Sequence, residues 1–176
     1  MVRVGVGCLV TYRHRSTTYF LLGQRQGSHG SNTWGLPGGH LELGETWATC
    51  ARREAAEETG LNLCDWKYLS VTNDIFDPAS LHYVTVFMKS SANGASNVPP
   101  VAALMEPDKC KMWAWVSWKE VVCGVAVRRD ACDGDVVGCF ELRDGGEPAT
   151  YLDLSALFLP VANLIKVYGE SEPPLD

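Results

Sequence analysis

The 176 residues hold no Cys-x-x-C pair, no internal repeat, no apolar run long enough to cross a bilayer and no surplus of positive charge. Each absence removes a class of function. Lys and Arg number 15 against 21 Asp and Glu, a net charge of −6, so a sequence-independent hold on a nucleic-acid polymer is not expected. The seven cysteines (Cys8, Cys50, Cys64, Cys110, Cys123, Cys132 and Cys139) are odd in number, and no Cys or His pair stands at zinc-ligand spacing. Free or buried thiols in a reducing, cytoplasmic setting are expected in place of a disulfide framework. The Val- and Gly-rich start from Met1 to Thr11 is too short to span a membrane and lacks a clear cleavage site, so it reads as a first strand. With 46% hydrophobic residues, a single domain over residues 1–170 is expected, followed by a flexible tail at 171–176.

What is present organises itself as strands around one helix. Residues 3–11 and 18–24 are rich in β-branched or aromatic residues, and 66–76 and 81–89 read as a hairpin turning through Asp77-Pro78-Ala79-Ser80. Residues 91–108, with paired Pro99-Pro100, read as a long loop, and 112–116 as a further strand. Near-helical apolar spacing over Leu154–Val167 predicts a terminal helix that Pro160 either kinks or starts late, with the chain frayed from Gly169 onward. Residues 123–150 carry five of the 17 glycines and suggest an inserted hairpin or loop.

The stretch Thr46–Thr59 has no Pro or Gly and is rich in Ala, Glu and Arg, so it is predicted to be helical, capped by Thr46 and stopped by Gly60. On that helix Glu54, Glu57 and Glu58 share a face beside a small apolar stripe of Ala48, Ala51 and Ala55. Like charges so spaced cost a few tenths of a kcal/mol per pair, roughly, unless a cation offsets them. Arg52 and Arg53 supply part of that offset. Hard oxygen ligands on adjacent turns suit Mg²⁺, with Mn²⁺ as an alternative, bridging carboxylates to phosphates. A solvated acidic face is the ordinary alternative; the preceding Leu36-Pro37-Gly38-Gly39 favours a site, because glycines let backbone come close to a ligand.

Gly39, Glu45, Arg53, Glu54, Glu57, Glu58, Gly60 and Leu61 stand in the register G-x5-E-x7-R-E-U-x-E-E-x-G-U, with Ala55 where a larger aliphatic residue is usual. The segment 39–61 thus resembles the Nudix box, and its many fixed positions make a chance match very rare. Leu21–Arg25, Trp34–Glu42 and Glu106–Lys109 leading into Trp113-Ala114-Trp115 are similar to the small eukaryotic and plant Nudix enzymes that hydrolyse nucleoside triphosphates. The resemblance implies an α/β fold, an α/β/α sandwich with a mixed sheet. It also implies Mg²⁺-dependent attack of water on a nucleoside diphosphate linked to a further group, and a homodimer. Nucleoside triphosphates, with oxidised or modified dGTP-type nucleotides among them, are the expected substrates, yielding monophosphate and pyrophosphate. Dinucleotides or nucleotide sugars such as NADH or ADP-ribose, and a catalytically silent nucleotide-binding domain, are the alternatives.

By the same resemblance Glu54 and Glu58 are ligands of the ion, Glu57 is a further ligand or the general base, and the Gly39 carbonyl is an additional ligand. Arg53 orients the glutamates, with Glu45 as its partner. Gly38, Gly39, Arg25 and His40 are the substrate-binding candidates: Arg25 holds a terminal phosphate or is merely solvated, and His40 contacts substrate or is structural. Glu106 reaches the ions or starts a turn. Lys109 and Lys111 meet phosphate or water, whereas His29 and His82 carry little signal. Of Trp34, Trp113, Trp115 and Trp118, at most one is expected to stack on a base, since tryptophans in strands are more often core.

Overall fold

The structure, a computed structural model, describes residues 1–27, 29–76, 81–92, 99–128 and 150–174. In chain order these form β1 (Val2–His14), β2 (Thr17–Arg25), β3 (Trp34–Gly35), β4 (Gly38–His40), α1 (Trp47–Thr59), β5 (Lys67–Phe76) and β6 (Leu81–Ser91). There follow β7 (Cys110–Ser117), α2 (Trp118–Cys123), β8 (Val125–Arg128), β9 (Thr150–Asp153) and α3 (Leu159–Tyr168). The turn at Asp77–Ser80 lies outside the described residues.

Seven strands make one mixed sheet in the order β3-β2-β1-β6-β5, with β4 also on β1 and β7 also on β2. Strand β1 runs parallel to β6 from Val2 and His82 to Thr11 and Ser91, and antiparallel to β2 and β4. Strands β1 and β2 pair only between Thr11–His14 and Thr17–Phe20. Beyond Phe20 they part: β4 takes the β1 edge at Gly5–Gly7, and β3 takes the β2 edge at Gly23 and Gln24. The short link from β3 to β4 crosses this opening, and the Cys8 amide donates to the Pro37 carbonyl at 2.8 Å. The parted strands form the floor of the site.

Strand alternation sorts the apolar side chains into two cores. Toward α1 face Val6, Cys8, Val10, Tyr12, Leu21, Val86, Met88, Trp113 and Trp115, packed with Cys50, Ala51 and Ala55 of the helix. Toward α2 and α3 face Leu9, Phe20, Leu22, Phe87, Ala114 and Val116, with Trp118, Val121 and Leu164. This is the expected α/β/α sandwich. Ala55 is fully buried, and the sheet opposite it is built from tryptophan and tyrosine, so a small helix face meets a bulky sheet face. The missing aliphatic side chain is compensated from across the interface.

Helix α1 begins and ends as its sequence predicts: the Thr46 hydroxyl accepts from the Thr49 amide, and Gly60 closes the helix in the left-handed region. Helix α3 starts late, at Leu159, with Pro160 in the first turn where its missing N–H costs nothing. The stretch before it is extended, since the Trp34 and Phe158 amides exchange hydrogen bonds with the Ala156 and Trp34 carbonyls. Residues 123–150 contribute the last residue of α2, strand β8 and the first residue of β9, which pairs with β8, while 129–149 lie outside the described residues. The tail is not free through Pro174, because Pro173 is buried and Lys89 donates to the Pro174 carbonyl.

One buried charge ties the layers together. The Asp74 carboxylate, with no exposed surface, accepts from Thr72 Oγ1 at 2.9 Å, Thr85 Oγ1 at 2.5 Å and Asn163 Nδ2 at 2.8 Å. It therefore joins β5, β6 and α3. Asp74→Ala strands three donors, and urea unfolding should show a loss of about 2–3 kcal/mol. A loss below about 0.5 kcal/mol, the scale of an ordinary surface substitution, would remove this network from the account of how α3 is held.

Candidate active site

A cavity of about 550 Å³ opens where β1 and β2 part. Its size is ordinary for a small-molecule site. One end carries charge: Glu54 and Glu58 from α1, Glu106 and Lys109 from the loop before β7, and Arg25 from the end of β2. The cavity is also lined by Phe76, Tyr83, Phe87 and Phe158 with His29 and His40, and by Arg3, which donates to the Tyr83 hydroxyl at 3.0 Å.

The charged end is organised by Arg53. Its Nε and Nη2 reach the two oxygens of Glu45, each at 3.0 Å, while Nη1 donates to Glu54 Oε1 at 2.6 Å and to Glu57 Oε2 at 3.3 Å. Nη2 also donates to the His40 carbonyl at 3.2 Å, so one guanidinium joins the helix to the loop before it. These charge-assisted bonds hold the Glu45 carboxyl down at about 2 and raise the Arg53 pKa further. Glu54 lies against Gly39, where an added Cβ would stand 2.2 Å from Oε1. At Gly38 it would meet the Val6 carbonyl at 2.2 Å, and the Gly38 amide donates to Glu58 Oε2 at 3.0 Å. The two glycines let the loop lie directly on the carboxylates.

Glu58 is the most strained charge. Burial pushes its pKa up to about 7, opposed by the Gly38 amide, and the neighbouring Glu54 and Glu106 raise it further. Such a set lacks positive charge, and a divalent cation would supply it. Among the described residues no three His, Cys, Asp or Glu side chains form a ready cage. The residues nevertheless fit an ion such as Mg²⁺, which takes one or two carboxylates and completes its shell with water and phosphate oxygens. Glu54, Glu58 and the Gly39 backbone are the groups in place to hold it.

The candidates divide cleanly. Arg25, Gly38, Gly39, His40, Glu54, Glu58, Glu106 and Lys109 line the cavity. Glu57 does not: its side chain is 56% exposed and its described partner is Arg53. Glu45 and Arg53 stand behind the wall. Lys111 turns away to Asn32 at 2.6 Å, and His82 pairs with Asn73 at 2.5 Å. Trp34, Trp115 and Trp118 are buried and spend their indole N–H groups on the Asp153, Pro100 and Gly169 carbonyls. Trp113 alone of the four lines the cavity.

Several residues here escaped the sequence reading. Phe76, Tyr83 and Phe158 form the aromatic end, with Phe76 5.5 Å from Phe158 and 5.8 Å from Tyr83, ring centre to ring centre. His29 packs edge-on to Phe76 at 4.5 Å, and His40 Nε2 lies 3.0 Å from the Tyr83 hydroxyl. The hairpin pairing of Asp74 with Tyr83 already brought Phe76 near Tyr83. Nothing local placed Phe158 beside them.

A family model, the NUDIX domain, matches residues 1–135. The chain belongs to the Nudix family. Among Nudix relatives, the m7GpppN-mRNA hydrolase NUDT17 of Xenopus laevis is 36% identical over 70 residues, 35% of this chain and 24% of that protein. The match thus spans about a quarter of that relative's length. A MutT NUDIX hydrolase from Burkholderia pseudomallei is 26% identical, with a TM-score of 0.56 over 66% of this chain and 84% of that one. The Ap4A hydrolase of C. elegans, at 16% identity and a TM-score of 0.53 over 70% and 86%, shares the Nudix fold.

Two measurements probe the charged end of this Nudix site. In metal-free protein the neutral form of Glu58 is favoured on folding, so stability falls as pH rises from about 4.5 to about 7 and then levels off. The contribution is about 3 kcal/mol. Thermal melts between pH 5 and pH 8 should show the fall, Glu58→Gln should flatten it, and Mg²⁺ should restore stability most at pH 8; identical slopes in the two proteins would exclude Glu58 as the source. Gly39→Ala should fold with a melting temperature within a few degrees of wild type but displace Glu54, weakening Mn²⁺ binding tenfold or more by calorimetry. Unchanged affinity would mean that Glu54 is not held in place by the loop.

Proposed function

We propose that the protein is a Mg²⁺-dependent pyrophosphohydrolase that cleaves nucleoside triphosphates, with oxidised or modified dGTP-type nucleotides among them, to the monophosphate and pyrophosphate. The observation that carries this reading is one cavity lined both by carboxylates and cations and by aromatic rings. A nucleotide likewise joins a charged phosphate chain to a planar base. Phosphates and their counter-ion suit Glu54, Glu58, Arg25 and Lys109, while a planar base suits the rings of Phe76 and Tyr83.

A bound divalent ion supplies neutralisation of the phosphates and acidification of a water molecule. The chain's own residues do the rest. Glu54 and Glu58, one turn apart on α1, are the proposed ligand side chains, with the Gly39 carbonyl beside them. Arg53, itself held by Glu45, fixes the direction of Glu54. Glu57, shared with Arg53 and open to solvent, has a supporting place at the rim, and Glu58 is favoured over it for handling the proton of the attacking water. Arg25 and Lys109 reach the phosphates, and the closely packed Gly38–Gly39 backbone sets how near the nucleotide approaches the helix.

A second reading, hydrolysis of a dinucleotide or nucleotide sugar, gains support from the m7GpppN-mRNA hydrolase relative, whose named substrate joins two nucleosides through phosphates. Products separate the two. A panel of canonical and oxidised triphosphates, NADH, ADP-ribose and capped dinucleotide with Mg²⁺ should give pyrophosphate from triphosphates, with Glu58→Gln slower by about a hundredfold or more. Monophosphates from dinucleotides alone would transfer the assignment to the second reading. Full turnover by Glu58→Gln would sink the ligand assignment.

A further inference from the structure

We propose that Phe158 is a positioning residue of this site, its ring holding the Arg25 guanidinium at the charged end of the cavity. The inference rests on the reading that this end receives phosphates. Arg25 lies partly buried at the end of β2 and makes no ion pair among the described residues. Its guanidinium carbon stands 4.1 Å from the Phe158 ring centre, and its Nε and Nη2 both donate to the His29 carbonyl, at 3.3 and 3.2 Å. A stacked ring on one side and a carbonyl at the edge fix a long side chain that otherwise has many rotamers. Among the described residues Nη1 has no hydrogen-bond partner, which leaves donors of the fork for a ligand.

The seat is closely fitted. A Cβ on Gly35 would lie 3.2 Å from Arg25 Cδ and 3.5 Å from Phe158 Cβ, and one on Gly30 would strike the Phe158 ring at 2.6 Å. The Phe158 amide donates to the Trp34 carbonyl at 2.9 Å, and Trp34 Nε1 donates to the Asp153 carbonyl at 2.7 Å, so the backbone under the ring is fixed on β3. Asn163, on the helix that follows, is tied to Asp74. The ring itself and the segment that carries it come from beyond residue 135, where the family match ends, and they rest on Gly30, Trp34 and Gly35 within it. The C-terminal segment therefore completes a site whose carboxylates lie far upstream.

The test is a double-mutant cycle on the full chain. Binding of a non-hydrolysable nucleoside triphosphate analogue with Mg²⁺ is measured by calorimetry for wild type, Phe158→Leu, Phe158→Tyr, Arg25→Gln and the Phe158→Leu/Arg25→Gln pair. Phe158→Met replaces Phe158→Leu if the leucine variant does not fold. Phe158→Leu should weaken binding about fivefold or more, Phe158→Tyr should bind as wild type, and the pair should bind no worse than Arg25→Gln alone. Unchanged affinity in Phe158→Leu, or losses that multiply in the pair, would overturn the proposal. Absence of binding by wild type would overturn the underlying reading, a result distinct from an Arg25→Gln that weakens binding while Phe158→Leu does not.

Discussion

A single guanidinium sets the geometry of the charged end. Arg53 joins Glu45, Glu54, Glu57 and the His40 carbonyl, and so fixes helix α1 to the loop that enters it. Its side chain is only 25% exposed, and the Glu45 and Glu54 carboxylates are still more buried, at 10% and 12%. Such pairs are screened less than surface ion pairs, and leaving either partner alone would strand a charge. With Glu45 and Glu54 both directed to Arg53, the carboxylate left without a cation is Glu58. Burial raises its pKa, and the neighbouring Glu54 and Glu106 raise it further.

The cavity also depends on the way the sheet comes apart. If β1 and β2 had stayed paired along their length, the sheet would offer two continuous faces and no opening. Their divergence after Phe20 makes room for β3, β4 and the glycines between them, and the resulting cleft opens beside α1. The same divergence exposes backbone groups, and these are satisfied locally by bonds such as Cys8 to Pro37 and Trp34 to Ala156. Rigid layers on both sides hold the opening.

What the sequence disclosed follows how local each signal is. The caps of α1, at Thr46 and Gly60, act within one turn and were legible. So was the carboxylate cluster, which one helix carries. Ser117 and Glu120 form a capping box that starts α2, a signal present in the sequence but passed over. The place of Glu57 was obscured by the helix itself: from Glu54 it lies about 60° to one side and Glu58 about 40° to the other. Shared face alone does not tell which side meets the cavity. Arg53 draws Glu57 outward, and the parted strands lie beneath Glu58. The aromatic end was least legible, because Phe76, Tyr83 and Phe158 meet only through the completed sheet and the docked C-terminal segment. Asp74 was hidden for the same reason, since Thr85 and Asn163 reach it from distant parts of the chain.

The order in which the chain is made gives the late position of Phe158 a temporal meaning. Every carboxylate of α1 is synthesised by residue 58, whereas Phe158 follows after a further hundred residues, about 5–20 s of translation. During that interval the nascent chain carries the acidic helix and the glycine loop but lacks the wall that closes over Arg25. A polypeptide released early, or clipped ahead of Asp153, would retain the carboxylates, Phe76 and Tyr83 but lack the Phe158 ring against Arg25. Completion of the cleft is thereby linked to synthesis past Phe158.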